Sequence, residues 1–169
     1  MLIWLQFCGW KRTVMDSKID KLKKVRHFIL AQIEDLNENQ LNKVPEGFNN
    51  NIAWNLAHLI CAQQALCYLR AGLEPKLSMD FYTPFSTNTK PDRFLSLPEI
   101  QKIKADFKES IDFLNEDYSG SSYGAYTPSP NILRVYDIEI QSIDEAIEFL
   151  LYHEGYHTGT ILALTKLVK

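Results

Sequence analysis

The stretch Leu150 to Ile161, LLYHEGYHTGTI, places His153 and His157 four residues apart in a long, mostly apolar segment near the C-terminus. The apolar spacing of this segment is typical of a helix. In an α-helix of about 3.6 residues per turn, positions i and i+4 lie one above the other on the same face. Both imidazoles can therefore reach one metal ion. A third protein ligand must come from elsewhere, and the sequence has only two other histidines, His27 and His58.

These two histidines lie in different surroundings. His27 is one step off the apolar stripe of a first amphipathic helix, so its side chain is expected to face water. His58 lies on the apolar face of a second helix, and small side chains let a neighbouring helix approach closely there. The small residues on that face are Cys61, Ala62 and Ala65. The sequence therefore predicts that His58 joins His153 and His157 as the third metal ligand.

Four amphipathic segments predict four α-helices and no sheet. Their apolar residues recur at intervals of three and four. Candidate caps mark where the helices begin: Ser17 with Asp20 in capping-box spacing, Asn50 or Asn51, Ser96, and Ser142. The predicted helices run from 17 to about 37, from about 52 to 71, from 97 to about 118, and from 142 almost to the end. Residues 73 to 97 form a connection long enough to pass along a whole ~20-residue helix, and residues 131 to 140 are expected to be irregular. The fold class is therefore all-α, a four-helix bundle with a long crossover between helices 2 and 3.

Length and composition fit one globular domain. The chain has 169 residues, of which 46% are hydrophobic, and a net charge of -3 without a basic stripe, so no nucleic acid is expected as a partner. No uncharged apolar run reaches the ~18 residues of a membrane span, so no membrane is expected either. Three cysteines without the spacing of a disulfide scaffold favour a cytoplasmic protein. Because MDSKIDKL from Met15 resembles an ordinary start, residues 1–14 are interpreted as an N-terminal extension and residues 15–169 as the domain.

Three imidazoles leave positions on a divalent ion open for water or a substrate, which is typical of a catalytic metal site. An all-nitrogen ligand set suits zinc, nickel, copper or iron(II), and zinc or nickel is the first expectation, with iron(II) as an alternative. Cys61, one turn after His58, is expected to act as a small hydrophobic residue and not as a ligand.

His153, Glu154 and His157 also spell H-E-x-x-H, a motif in which zinc peptidases use the glutamate as general base. Glu154 is therefore the candidate catalytic residue. Residues 158 to 169 contain no His, Asp or Glu that would supply a third ligand in the place usual for a peptidase. The alternative interpretation is that Glu154 supports the ligands from behind or faces solvent.

The second and fourth helices resemble the two motif helices of the DinB (DNA-damage-inducible, YfiT-like) superfamily. The resemblance rests on Trp54 followed four residues later by His58, and on the H-x-x-x-H-x-G pattern of His153, His157 and Gly159. It implies a four-helix bundle, a metal held by the three histidines, and frequent homodimers. It also implies the thiol-dependent transferase or isomerase chemistry of characterised relatives, which use bacillithiol, mycothiol or glutathione.

We therefore expect a metal-dependent enzyme, a thiol-dependent S-transferase or isomerase that acts on a small-molecule substrate with a low-molecular-weight thiol. A non-catalytic metal-binding or sensor protein is the alternative, and a small H-E-x-x-H zinc peptidase is a third interpretation. A homodimer is also expected. Apolar positions such as Phe113 and Phe149 belong either to its interface or to the core.

Overall fold

The computed structural model describes the backbone of residues 3–120 and 125–169, and the side chains of residues 17–118 and 125–169. Within these ranges the chain forms helices, and no strand occurs, so the all-α prediction is confirmed. Four helices are long: α1 (Ile3–Gln32), α3 (Ile52–Cys67), α5 (Leu97–Gly120) and α7 (Ile143–Val168). Three are short: α2 (Glu38–Asn42), α4 (Met79–Tyr82) and α6 (Pro130–Tyr136). None of the helices in the described ranges is long and apolar enough to cross a bilayer.

The long helices pack through their apolar stripes. Helix α1 contacts α5 and α7, and α3 contacts the same two helices. Two clusters of buried side chains fill the space between them. The first includes Ile33, Leu56, Phe107 and Leu164, and the second includes Leu22, Leu66, Leu114 and Leu150. Since α3 and α7 are direct neighbours, His58 on the first can lie against the histidine pair on the second.

Helix α1 differs from its prediction at both ends. Its backbone is helical from Ile3, so Ser17 lies inside the helix and its capping-box spacing with Asp20 marks no start. The helix ends at Gln32, before the predicted end at 37. Asn37 instead begins α2, where its side chain accepts a hydrogen bond from the Gln40 backbone N–H and the Gln40 side chain accepts one from the Asn37 backbone N–H. The prediction that the domain begins at residue 15 is not tested by these helix limits.

The caps predicted for the two histidine-bearing helices are confirmed. The Asn51 side chain accepts a hydrogen bond of 2.8 Å from the Trp54 backbone N–H at the start of α3. The Ser142 hydroxyl accepts one of 3.2 Å from the Glu145 backbone N–H at the start of α7. Each cap satisfies an amide that has no partner within its helix. Together they set where the two helices begin, and hence the direction in which each histidine points.

The connection between α3 and α5 contains α4 and the 3₁₀ turn Thr83–Phe85, which its sequence pattern did not predict. Tyr82 is fully buried, and its hydroxyl donates a 2.5 Å hydrogen bond to a carboxylate oxygen of Asp106 on α5. Phe85 is buried in the core beside it. These aromatic side chains therefore anchor the connection to the long helices.

The prediction that residues 131 to 140 are irregular is wrong for the first half of that segment, which forms α6. Pro130 occupies the first turn of α6, where a proline is tolerated because its missing N–H would be unpaired anyway. Leu133 and Val135 are exposed. Helix α6 therefore lacks the continuous apolar stripe of a core helix. For this reason the spacing of its apolar residues does not indicate a helix.

Candidate metal centre

The three predicted ligands converge. The candidate ligand atoms of His58, His153 and His157 all lie within 4.8 Å of one another. The ring centroids are 5.2 Å apart for His58 and His153, 4.8 Å for His58 and His157, and 4.6 Å for His153 and His157. Two ligand bonds of about 2.1 Å span at most about 4.2 Å. Small ring rotations are therefore enough to bring the three nitrogens onto one ion.

A backbone carbonyl in the α3–α5 connection orients the His58 ring. The Nδ1 atom of His58 lies 2.7 Å from the carbonyl oxygen of Phe85. A carbonyl only accepts hydrogen bonds, so Nδ1 carries the proton and Nε2 keeps its lone pair for a metal. The Trp54 ring stacks on the imidazole, with centroids 4.7 Å apart and planes 8° from parallel. The motif tryptophan and the connection thus hold this ligand from two sides.

The side chain of Asn55 orients the His157 ring. His157 Nδ1 lies 2.7 Å from Asn55 Oδ1, and Asn55 is fully buried. The side-chain nitrogen of Asn55 donates a 2.7 Å hydrogen bond to the carbonyl oxygen of Asn51, which fixes the amide with its oxygen towards His157. His157 must then carry its proton on Nδ1 and present a free Nε2. The contact links the first turn of α3 to a ligand on α7.

His153 is the least constrained of the three rings. It is half-buried and packs against Phe149, with centroids 6.1 Å apart and planes 22° from parallel. Its Nδ1 is buried and has no hydrogen-bond partner among the described residues. Buried polar atoms are rarely left unpaired. An imidazole with an unsatisfied nitrogen beside two others with free Nε2 lone pairs is a donor set that fits a divalent transition metal.

The protein environment keeps all three imidazoles neutral. Burial lowers the pKa of His58. Burial, followed by repulsion from His157, His58 and Arg26, lowers the pKa of His153 to about 2. Burial and the proximity of His58 lower the pKa of His157 to about 3. Metal binding requires neutral imidazoles, so protons do not compete strongly for these ligands at neutral pH.

Glu154, the candidate catalytic residue, is fully buried and pairs with Arg26 of α1. Its Oε1 accepts hydrogen bonds from the guanidinium at 2.7 Å and 2.6 Å. The same guanidinium donates to the Phe107 carbonyl at 2.9 Å and the Ser110 hydroxyl at 2.7 Å, both on α5. The interpretation that Glu154 faces solvent is therefore wrong. A catalytic role for Glu154 stays a prediction, and its contacts favour a structural one.

The other residues considered from the sequence do not join the three-histidine cluster among the described residues. His27 is exposed, as predicted, and its Nδ1 lies 2.8 Å from the Lys23 carbonyl within the same helix. Cys61 lies in the apolar core and is not part of the ligand group, which agrees with its interpretation as a small hydrophobic residue. Burial raises the pKa of Cys61 to about 11. Its thiol is therefore protonated at neutral pH.

A family model described as the DinB superfamily matches residues 21–161 of the chain. The matched range covers most of the sequence and includes all three histidines of the cluster. A search among curated proteins found no match.

Proposed function

The chain belongs to the DinB superfamily, and from this premise we propose that His58, His153 and His157 bind one divalent transition metal. The observation that carries the proposal is the convergence of three neutral imidazoles. Two of them have Nδ1 engaged in hydrogen bonds, and the third has a buried nitrogen without a partner. Nitrogen ligands suit zinc or nickel, with iron(II) as an alternative.

We infer that the metal site is catalytic, in a thiol-dependent S-transferase or isomerase acting on a small molecule. Three protein ligands leave room on the ion for a further group. An ion bound there supplies Lewis acidity, which favours the thiolate form of a thiol that reaches it. Burial raises the pKa of Cys61 to about 11 and of Cys67 to about 12. Away from the ion these two buried thiols are protonated at neutral pH, which favours a low-molecular-weight thiol from solution as the nucleophile.

The protein groups around the histidines would position the ligands before the metal arrives. The Phe85 carbonyl and the Asn55 side chain hold protons on Nδ1 of His58 and His157. The Trp54 ring covers one face of His58 and limits the access of water to it. These contacts favour one tautomer and one orientation of each ring, and such support behind a ligand typically strengthens metal binding.

The alternative is a non-catalytic metal-binding or sensor protein. The burial of two ligands favours it, because His58 is 5% exposed and His157 is 7% exposed, which leaves His153 as the most accessible ring. The small zinc peptidase is the weakest proposal. Its general base would be Glu154, whose carboxylate is already engaged by Arg26.

The arrangement and location of the chain are also proposals. We propose that the four long helices form one four-helix bundle with the α3–α5 connection as its long crossover, which the contacts of α1 and α3 with both α5 and α7 support. We propose a cytoplasmic homodimer. Phe149 is buried in the core, whereas Phe113 is half-buried and keeps surface that an interface could use. An exposed candidate is Tyr156.

Elemental analysis of protein purified without an affinity tag tests metal binding. We expect about one transition-metal ion per chain, lost in His58→Ala and retained in the matched control His27→Ala. Less than about 0.1 ion per chain in the wild type, unchanged by His58→Ala, would refute the site. A screen of glutathione, bacillithiol and mycothiol against electrophiles, with and without the metal, then tests the activity. Turnover that needs both thiol and metal supports the transferase or isomerase, and its absence from a metal-loaded protein favours the sensor.

A further inference from the structure

A groove lies where α6 leads into α7, beside the histidine cluster. Its volume is about 460 Å³, within the range of about 300–1,000 Å³ that is usual for small-molecule sites. Its apolar wall is formed by Tyr136, Ile138, Ile140, Phe149 and Tyr152. Three of these side chains remain open to solvent, Tyr136 at 41%, Ile138 at 46% and Tyr152 at 52%. The groove therefore offers apolar surface that the fold does not cover.

Three aromatic rings in this wall form a fixed cluster. The ring centroids of Tyr136, Phe149 and Tyr152 are 5.7 Å apart in each of the three pairs. Phe149 also packs against His153, with centroids 6.1 Å apart. One side chain thus belongs both to the groove and to the surroundings of the candidate metal ligand. A molecule resting on the cluster would contact Phe149 and so lie one side chain away from His153.

The groove is acidic as well as aromatic. Glu139, Glu145 and Glu148 line it, and no basic side chain does so among the described residues. Glu148 pairs with Lys18. Glu145 accepts a 2.7 Å hydrogen bond from the Gln141 backbone N–H, and Glu139 accepts one of 3.0 Å from the Gln141 side chain. One carboxylate is thus offset by a cation, whereas two are contacted by neutral donors.

We propose that this groove binds a small organic cation, an ammonium group attached to an aromatic or branched aliphatic body. The body would pack on the rings of Tyr136 and Tyr152, since aromatic faces attract both apolar groups and cations. The ammonium would face the carboxylates, whose field repels anions. We assign this cation as the substrate of the enzyme, an assignment that rests on the proposed metal-dependent activity. The charge also indicates that the groove is not where an anionic thiol such as glutathione binds.

Equilibrium binding to the metal-free, full-length protein tests the groove with three probes of similar size. The probes are phenethylamine, 2-phenylethanol and phenylacetate, and binding is followed by protein-observed NMR. We expect phenethylamine to bind most tightly and phenylacetate most weakly. Glu139→Gln should weaken phenethylamine binding roughly two- to fivefold, the range for one partly exposed charge pair. Glu109→Gln, an exposed carboxylate on α5 outside the groove, is the matched control and should change nothing.

Two further variants separate the contribution of the aromatic rings to binding from that of the carboxylates. Tyr152→Ala removes an aromatic wall and should weaken phenethylamine and 2-phenylethanol alike, whereas Glu148→Gln also releases Lys18 and should weaken the cation alone. Phenylacetate binding as tightly as phenethylamine, or phenethylamine binding that both variants leave unchanged in folded protein, overturns the proposal. Phenethylamine binding that is retained in His58→Ala supports cation binding in the groove even where the metal proposal fails. Metal uptake without any phenethylamine binding overturns the groove alone.

Discussion

Replacing Asn55 by leucine tests whether the tautomer of His157 matters for metal binding. The substitution nearly keeps the volume of the side chain but removes the 2.7 Å hydrogen bond to His157 Nδ1 and the 2.7 Å hydrogen bond to the Asn51 carbonyl. The Asn51 carbonyl keeps its 3.1 Å hydrogen bond from the backbone N–H of residue 55, so only His157 Nδ1 is left without a partner. One unpaired buried group costs about 1–3 kcal/mol, so the free energy of unfolding should fall by about that amount.

Metal affinity should fall as well, because His157 loses the group that holds its proton on Nδ1. Loss of such a hydrogen-bond partner behind a metal-binding histidine typically weakens affinity by about 10- to 100-fold. Competition with a chromogenic chelator at pH 7.5 measures the affinity, and urea unfolding measures the stability. The protein should remain folded, since domains of this size usually have a total stability of about 5–15 kcal/mol.

Asn55→Asp is the matched control. Its carboxylate can still accept the His157 proton but cannot donate to the Asn51 carbonyl, so it separates the two hydrogen bonds. We expect Asn55→Asp to destabilise the fold while weakening metal binding less than Asn55→Leu does. If Asn55→Leu binds the metal within about threefold of the wild type while losing stability, the contact serves the fold only, and our reasoning on the tautomer is wrong.

Three further outcomes follow from the buried charges and the histidines. Arg26→Met leaves the Glu154 carboxylate buried without its partner and should lower the free energy of unfolding by about 3–5 kcal/mol, whereas the double variant Arg26→Met/Glu154→Leu should recover most of that loss in urea unfolding. Burial, the largest cause for each, lowers the pKa of His153 to about 2 and of His157 to about 3, against about 6.5 in an unfolded chain. As the pH falls below about 6.5, the unfolded chain takes up protons that the folded chain does not, so the metal-free protein loses stability. The urea concentration at the unfolding midpoint should therefore be lower at pH 5 than at pH 7.5. The difference should be smaller in a His153→Gln/His157→Gln variant. Chelation at pH 7 should lower the melting temperature but leave the helical circular dichroism nearly intact, because the apolar stripes pack without the ion; cooperative loss of helix would instead indicate a structural metal.

The three-histidine cluster is predictable from the sequence because two of its members share one helix face. The i, i+4 spacing of His153 and His157 is a local property of the chain, and His58 is the one remaining histidine on an apolar face. The caps at Asn51 and Ser142 are equally local. Features that depend on a few neighbouring residues can be inferred before the chain is folded.

The groups that support the ligands are less predictable, since they come from distant parts of the chain. The Phe85 carbonyl lies 27 positions from His58, and Asn55 lies 102 positions from His157. Nothing in local spacing indicates such contacts. The only sequence sign is polar character in an otherwise apolar helix, which Asn55 shows one turn after Asn51. The burial of the Glu154 side chain could not be predicted for the same reason, because its partner Arg26 is 128 positions away.

The hydrogen bond from His58 to the Phe85 carbonyl makes the α3–α5 connection part of the surroundings of the candidate metal centre. Connections of this kind usually tolerate insertions and changes of length better than helices do. Here a shift of the Thr83–Phe85 turn would release the His58 ring without altering any of the three candidate ligands. The segment is therefore a natural place to adjust metal affinity in protein engineering, by grafting connections of different length while every ligand stays in place.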